Sequence, residues 1–173
     1  MREVVWTLVT FVLLAAVSPL LGRLESQFFA PDLALLTALY AGSRSSLLRG
    51  VACGFAVGLF KDGLALSAPI GVYTEITVLA VLAGRVLEKR VDLRSAVPLM
   101  ATAASVSVAA TASFLLLEAV FHRAFDAYLD VVQMALPLAL VTMLVAPLYF
   151  ALLDRLSRPI EGHARPTLLG RGH

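Results

Sequence analysis

The sequence predicts an all-α membrane protein with six transmembrane helices, and three observations carry that reading. Hydrophobic residues make up 60% of the 173-residue chain and charged residues 15%, where soluble domains have roughly half and a quarter, and the mean hydropathy is +0.88. The apolar residues fall into six blocks separated by charged or glycine- and proline-bearing breaks. On a six-span path, Arg2, Arg44, Arg49, Arg85, Lys89, Arg90, Arg94, Arg155, Arg158, Arg165 and Arg171 collect on one side, leaving Arg23, Lys61 and Arg123 on the other. Short cytoplasmic loops are enriched in lysine and arginine, so this split places both termini in the cytoplasm, and an odd number of spans would destroy it.

The first block, Val4 to Gly22, is uncharged over roughly 19 residues, enough to cross about 28 Å of hydrocarbon. It is longer than a signal-peptide core and is expected to be retained. Trp6 near its start has the position of an interface anchor. The second block opens at Pro31-Asp32, where proline suits the first turn and an acid suits the positive helix end. It lasts only to Gly42, about 18 Å of helix, so it requires extension through Gln27 to Ala30 or a protein-lined setting. The third block runs from about Leu47 to Phe60, and after Pro69-Ile70-Gly71 a fourth continues to Gly84. A charged loop, Arg85 to Arg94, leads to the fifth, Ser95 to Leu117, and Val131 to Leu153 is the sixth, with possible kinks at Pro137 and Pro147. Residues 1–154 are thus expected to form one six-helix transmembrane domain and 155–173 a short flexible cytoplasmic tail.

Several function classes are disfavoured at this level. A pI near 9.0 comes with a net charge of only +2 and no basic stripe, so nucleic acid is not an expected partner, whereas membrane lipid is. The single cysteine, Cys53, allows neither an intrachain disulfide nor a cysteine metal site. His122, His163 and His173 lack metal-ligand spacing, so neither a metal nor another cofactor is expected. Asp126 and Asp130, near Glu118, His122 and Arg123, read as a solvated loop, with an ion or partner contact as the other reading.

The strongest local pattern lies in the third block. Gly50, Gly54 and Gly58 recur every four residues, which on a helix makes a smooth face that a neighbouring backbone can approach, and the next position on that face is Asp62. Asp62 has three readings: it pairs with Lys61 or caps the next turn, it helps hold a partner surface, or it takes part in substrate or proton chemistry. Glu75, beside Tyr73 and Thr74, shares the last of these. The fifth block carries a second ladder, Ala101, Ser105, Ala109 and Ser113, expected to pack inside the bundle, with a face towards another protein as the other reading; its hydroxyls can bond back to their own helix.

These residues resemble a known family. The stretch GFAVGLFKDGLALSAPIGVY, preceded by PDLALLTALYAG and by Arg49-Gly50, is similar to the bacterial rod shape-determining MreD family. The ordered set Pro31-Asp32, Gly54-Phe55, Gly58-Leu59, Asp62 and Pro69-Ile70-Gly71 carries the likeness, which is good from Pro31 to Arg90 and reduces to hydrophobic spans beyond; Lys61 departs from it. The resemblance implies a non-enzymatic inner-membrane subunit of the cell-elongation machinery, working in peptidoglycan synthesis with MreC, the actin-like MreB, and RodA with its class B penicillin-binding protein. It also implies a fold similar to the substrate-binding subunits of energy-coupling-factor transporters. The alternative from another class is a small-molecule-binding subunit of such a transporter, with Asp62, Tyr73, Thr74 and Glu75 as polar contacts in an apolar pocket.

Overall fold

A computed structural model describes residues 2–23, 30–64, 71–93, 95–121 and 128–162. These residues form six helices and no strand: α1 (Arg2–Arg23), α2 (Leu33–Arg44), α3 (Leu47–Leu64), α4 (Val72–Glu88), α5 (Ala96–Phe121) and α6 (Tyr128–Gly162). Every apolar block in the sequence thus becomes a helix. Two of the helices are long and apolar enough to cross a membrane, α5 over Ala96–Leu117 and α6 over Val131–Ser157, which is compatible with a membrane protein.

The short α2 is the axis of the bundle. Its residues from Leu33 to Ser43 are all buried, as expected of a helix that is apolar around its whole circumference. It packs against α1, α3, α4 and α6, so all of its 12 residues but Arg44 are enclosed by protein. Asp32 is its N-cap, with Oδ1 accepting the Leu35 N–H at 3.0 Å. Pro31 therefore lies just before the cap and not in the first turn. At the other end Arg2 donates to the Arg44 carbonyl and Arg85 to the Ser45 carbonyl, both at 2.7 Å. Two cations thus meet the carbonyl-rich end of the helix, where they are electrostatically favoured.

Two glycines that ended apolar blocks in the sequence turn out to set the spacing of α2 and α4. A Cβ at Gly84 would lie 2.6 Å from the Leu39 carbonyl oxygen, and one at Gly42 would overlap the Val81 carbonyl. The two backbones are in contact, and no side chain fits between them.

The α5–α6 hairpin closes the bundle. On α6, Thr142, Ala146, Tyr149, Phe150, Leu153 and Ser157 are buried along one face, at the three- and four-residue spacing of a helix stripe. The hydroxyls of that stripe tie it to the first two helices. Thr142 accepts the Asp32 N–H at 3.1 Å, and the Tyr149 hydroxyl lies 2.9 Å from that of Thr10 and 2.8 Å from that of Thr37. Tyr40 donates to Asp154 at 2.6 Å and the Trp6 indole to Ser157 at 2.9 Å.

Two expectations are corrected by this seam. Trp6 is no interface anchor: it is 0% exposed and stacks edge-on to Tyr40 with ring centroids 4.8 Å apart, because its one polar atom finds Ser157 inside the bundle. The flexible tail does not begin at Arg155. The helix runs on through Gly162, and Leu153 and Ser157 are buried there against the start of the chain. It also passes Pro137 and Pro147 unbroken.

Glycine substitutions separate packing from propensity. Gly84→Ala is expected to lower stability by about 1–3 kcal/mol, the range for overpacking a tight contact. Gly63→Ala, where an added Cβ meets nothing within 4 Å, is expected to raise it by roughly 0.5–1 kcal/mol. Melting of the purified protein, followed by loss of helical circular dichroism, checks both.

Candidate functional site

The glycine face of α3 is occupied by α4. Gly50, Gly54 and Gly58 are buried with Asp62, so the four residues share the face that their spacing implies. A Cβ at Gly54 would stand 2.6 Å from Val81 Cγ2, and one at Gly58 would collide with Thr74 and Thr77 of α4. At Gly50 the added atom would press on Ser45 Oγ at 3.0 Å and on Val81 Cγ1 at 3.2 Å. The Thr77 hydroxyl crosses the gap to donate to the Gly54 carbonyl at 2.8 Å. The ridge is therefore an internal packing surface.

At the end of the ridge, Asp62 holds the beginning of α4. Its Oδ1 accepts the Tyr73 N–H at 3.0 Å, and its Oδ2 accepts the Thr74 N–H at 3.1 Å and the Thr74 hydroxyl at 2.5 Å. The first backbone N–H groups of a helix have no intrahelical partner and lie at its positive dipole end, so a carboxylate satisfies both needs at once. The residue at the formal cap position is Gly71, with φ 108°, and it makes no side-chain cap. That left-handed conformation suits glycine and lets a carboxylate from another helix do the capping. Pro69 lies outside the described residues.

Lys61 turns away from Asp62. Its Nζ donates to Asp32 Oδ2 at 2.6 Å and stands 4.4 Å from the centre of the Tyr73 ring. One cation thus links the start of α2, the end of α3 and the start of α4. The aromatic face adds a cation–π attraction to the ion pair. The expected pairing of Lys61 with Asp62 is replaced by this longer reach, and the capping reading of Asp62 is the one observed.

The other sequence candidates do not converge here. Glu75 is exposed on α4, and Thr74 is engaged with Asp62, so Asp62, Tyr73, Thr74 and Glu75 do not line a common pocket. On α5 the inward face is Leu99, Thr102, Ala103, Val106 and Ser107, all buried, whereas Ala101, Ser105 and Ala109 are exposed. Ala101 and Ser105 thus look outward, contrary to the expectation of internal packing, while Ala109 and the half-buried Ser113 line a crevice towards Leu35 and Ile76. The ladder's hydroxyls bond back to their own helix as expected, Ser105 to the Ala101 carbonyl at 2.8 Å and Ser113 to the Ala109 carbonyl at 2.9 Å. Cys53 is buried, with Sγ 3.4 Å from the Thr7 hydroxyl. The histidines and Asp126 lie outside the described residues, among which no group of three histidine, cysteine, aspartate or glutamate residues is placed to hold a metal ion.

The Thr10–Thr37–Tyr149 cluster and the Tyr40–Asp154 pair were not singled out by sequence reasoning. A signal existed on α6, where Thr142, Tyr149 and Ser157 follow at intervals of seven and eight residues, two turns of helix each.

Comparison of the chain with protein-family models, curated proteins and solved structures gives no match.

The two carboxylate contacts are expected to differ in weight. Asp62→Ala removes a buried cap and should destabilise the protein by about 2 kcal/mol, with Asp62→Asn losing less because one accepting oxygen remains. Lys61→Met breaks a partly exposed pair and should lose under about 1 kcal/mol. Thermal melting of the three variants side by side orders them.

Proposed function

We propose that the chain is a non-enzymatic, multi-pass subunit of the bacterial inner membrane, a scaffold of the cell-elongation complex of the kind the MreD resemblance implies. On this reading all six helices cross the membrane, both termini are cytoplasmic, and MreC and RodA with its class B penicillin-binding protein are the partners, with MreB as a further contact. The bundle's role is to hold these proteins in place for lateral wall synthesis and so to maintain cell shape.

One observation carries the reading. The acid that the chain places in its apolar body, Asp62, has both oxygens engaged in fixing α4, and the glycines beside it are closed by that same helix. This centre sets helix positions. The path of the chain supports the orientation. Arg2, Arg44, Arg49 and Arg85 stand at the start of α1, the end of α2, the start of α3 and the end of α4, and the bonds of Arg2 to Arg44 and of Arg85 to Ser45 show these termini meeting at one end. A basic cytoplasmic end is what the positive-inside rule requires.

The test is a pull-down of the tagged protein from native membranes, with mass spectrometry of the proteins and small molecules recovered. MreC and the wall polymerase are expected with the wild type. Ala101→Leu with Ser105→Leu, both exposed on α5, is expected to recover less of them at unchanged melting temperature, whereas Gly54→Leu loses partners and fold together. Recovery of a vitamin-sized ligand with an energising module, and of neither protein partner, overturns the proposal.

A further inference from the structure

The arginine end of the bundle contains a cavity of about 550 Å³, within the range of small-molecule sites. It opens at the seam where α5 and α6 meet α1 and α2. Its lining combines the charged Arg2, Arg44 and Asp154 with the apolar Leu99, Pro147 and Phe150. Arg2 and Arg44 are the cations of this lining and Asp154 its anion.

The arginines are positioned without being closed off. Arg2 donates to the Arg44 carbonyl at 2.7 Å, and its guanidinium carbon lies 4.9 Å from the centre of the Trp6 ring. It also stands 3.9 Å from Glu3 Oε1. Arg44 Nη2 is 4.0 Å from Asp154 Oδ2, an attraction at a distance too long for a hydrogen bond. Asp154 in turn accepts from Tyr40 at 2.6 Å. Each guanidinium side chain is about a quarter exposed, so both reach the cavity. A guanidinium carries five donors in a planar fork that matches the oxygens of a phosphate.

The remaining charge of this end points the same way. Arg49 near the start of α3 and Lys89 and Arg90 just after α4 are exposed, as are the acids Glu88 and Asp92. Basic pockets between helices on the cytoplasmic side of membrane proteins hold anionic headgroups.

We propose that the cavity between Arg2, Arg44 and Asp154 binds a phosphate group, with the apolar lining of Leu99, Pro147 and Phe150 receiving the carbon skeleton that carries it. Arg2 and Arg44 supply the charge and the donors. Asp154, fixed by Tyr40, keeps Arg44 turned towards the cavity. The phosphate comes from a membrane phospholipid headgroup or from a soluble phosphate, and the site reads the same chemistry in both.

The test uses the full chain purified in detergent and stripped of lipid. Native mass spectrometry measures retention of phosphatidylglycerol against phosphatidylcholine added at equal concentration. In parallel, the emission of Trp6, the one tryptophan in the chain, is titrated with sodium phosphate against sodium chloride at matched ionic strength. Preferential retention of phosphatidylglycerol, reduced about fivefold by each of Arg2→Gln and Arg44→Gln, identifies a lipid-borne phosphate. A saturable emission change with phosphate alone, absent in Arg44→Gln, identifies a soluble one. Ala96→Phe, an exposed residue in the cavity wall, removes binding in either case with both arginines intact, and so separates loss of the site from loss of the fold. Equal retention of the two lipids, together with no phosphate-specific emission change, overturns the proposal. Arg49→Gln, outside the cavity, is expected to lower lipid retention less than either cavity arginine variant and to leave the phosphate-specific emission change in place.

Discussion

The close approach of α4 to α2 and α3 is the constraint on which the other contacts rest. Gly42, Gly54, Gly58 and Gly84 remove the side chains that would hold these helices apart, and the backbones meet at van der Waals distance. Only at that spacing does Thr77 reach the Gly54 carbonyl, Asp62 reach the first N–H groups of α4, and Arg85 reach the end of α2. Without a large apolar side chain at the crossing, dispersion between backbones and a few interhelical hydrogen bonds supply the attraction. The same geometry explains why polar atoms so near the centre are tolerated: each is met by a partner that the spacing delivers.

The two ends of the bundle solve the helix-terminus problem with opposite charges. At one end carboxylates meet backbone N–H groups, Asp32 on its own helix and Asp62 on a neighbouring one. At the other end guanidinium groups meet carbonyls, Arg2 and Arg85 at the close of α2. Both arrangements follow the helix dipole, and Asp62, Arg2 and Arg85 each act on a different helix, so they lock the fold as well as the local helix.

Element positions were legible in the sequence because proline, glycine and charge interrupt the apolar blocks at nearly every boundary. The ridge of Gly50, Gly54 and Gly58 was legible from its spacing, and Asp62 from its place at the end. What the ridge faces was not, since a smooth helix face admits an internal or an external neighbour equally. Trp6, Ala101 and Ser105 were misplaced for a related reason: residue type states what a side chain is able to do, and the packing of α6 decided where each one pointed. The continuation of α6 to Gly162 was hidden because Arg155 and Arg158 read as the onset of a polar tail, while Leu153 and Ser157 among them keep the buried stripe going. The arginine-end cavity combines residues from α1, α2, α5 and α6, and no local pattern in the chain announces it.

The burial of α2 has a consequence for how the protein is made. A 12-residue apolar helix of about 18 Å is too short to cross a bilayer unaided and gains its stability from the helices around it. Of those, α1 precedes it on the ribosome, while α3, α4 and α6 follow. Its most intimate neighbour, α4, contributes the Val81 and Gly84 backbone against which it rests. α2 therefore lacks the backbone it rests on until α4 has been synthesised, and the last of its neighbours until α6 has. The packing that encloses this early segment is complete only once the late ones exist.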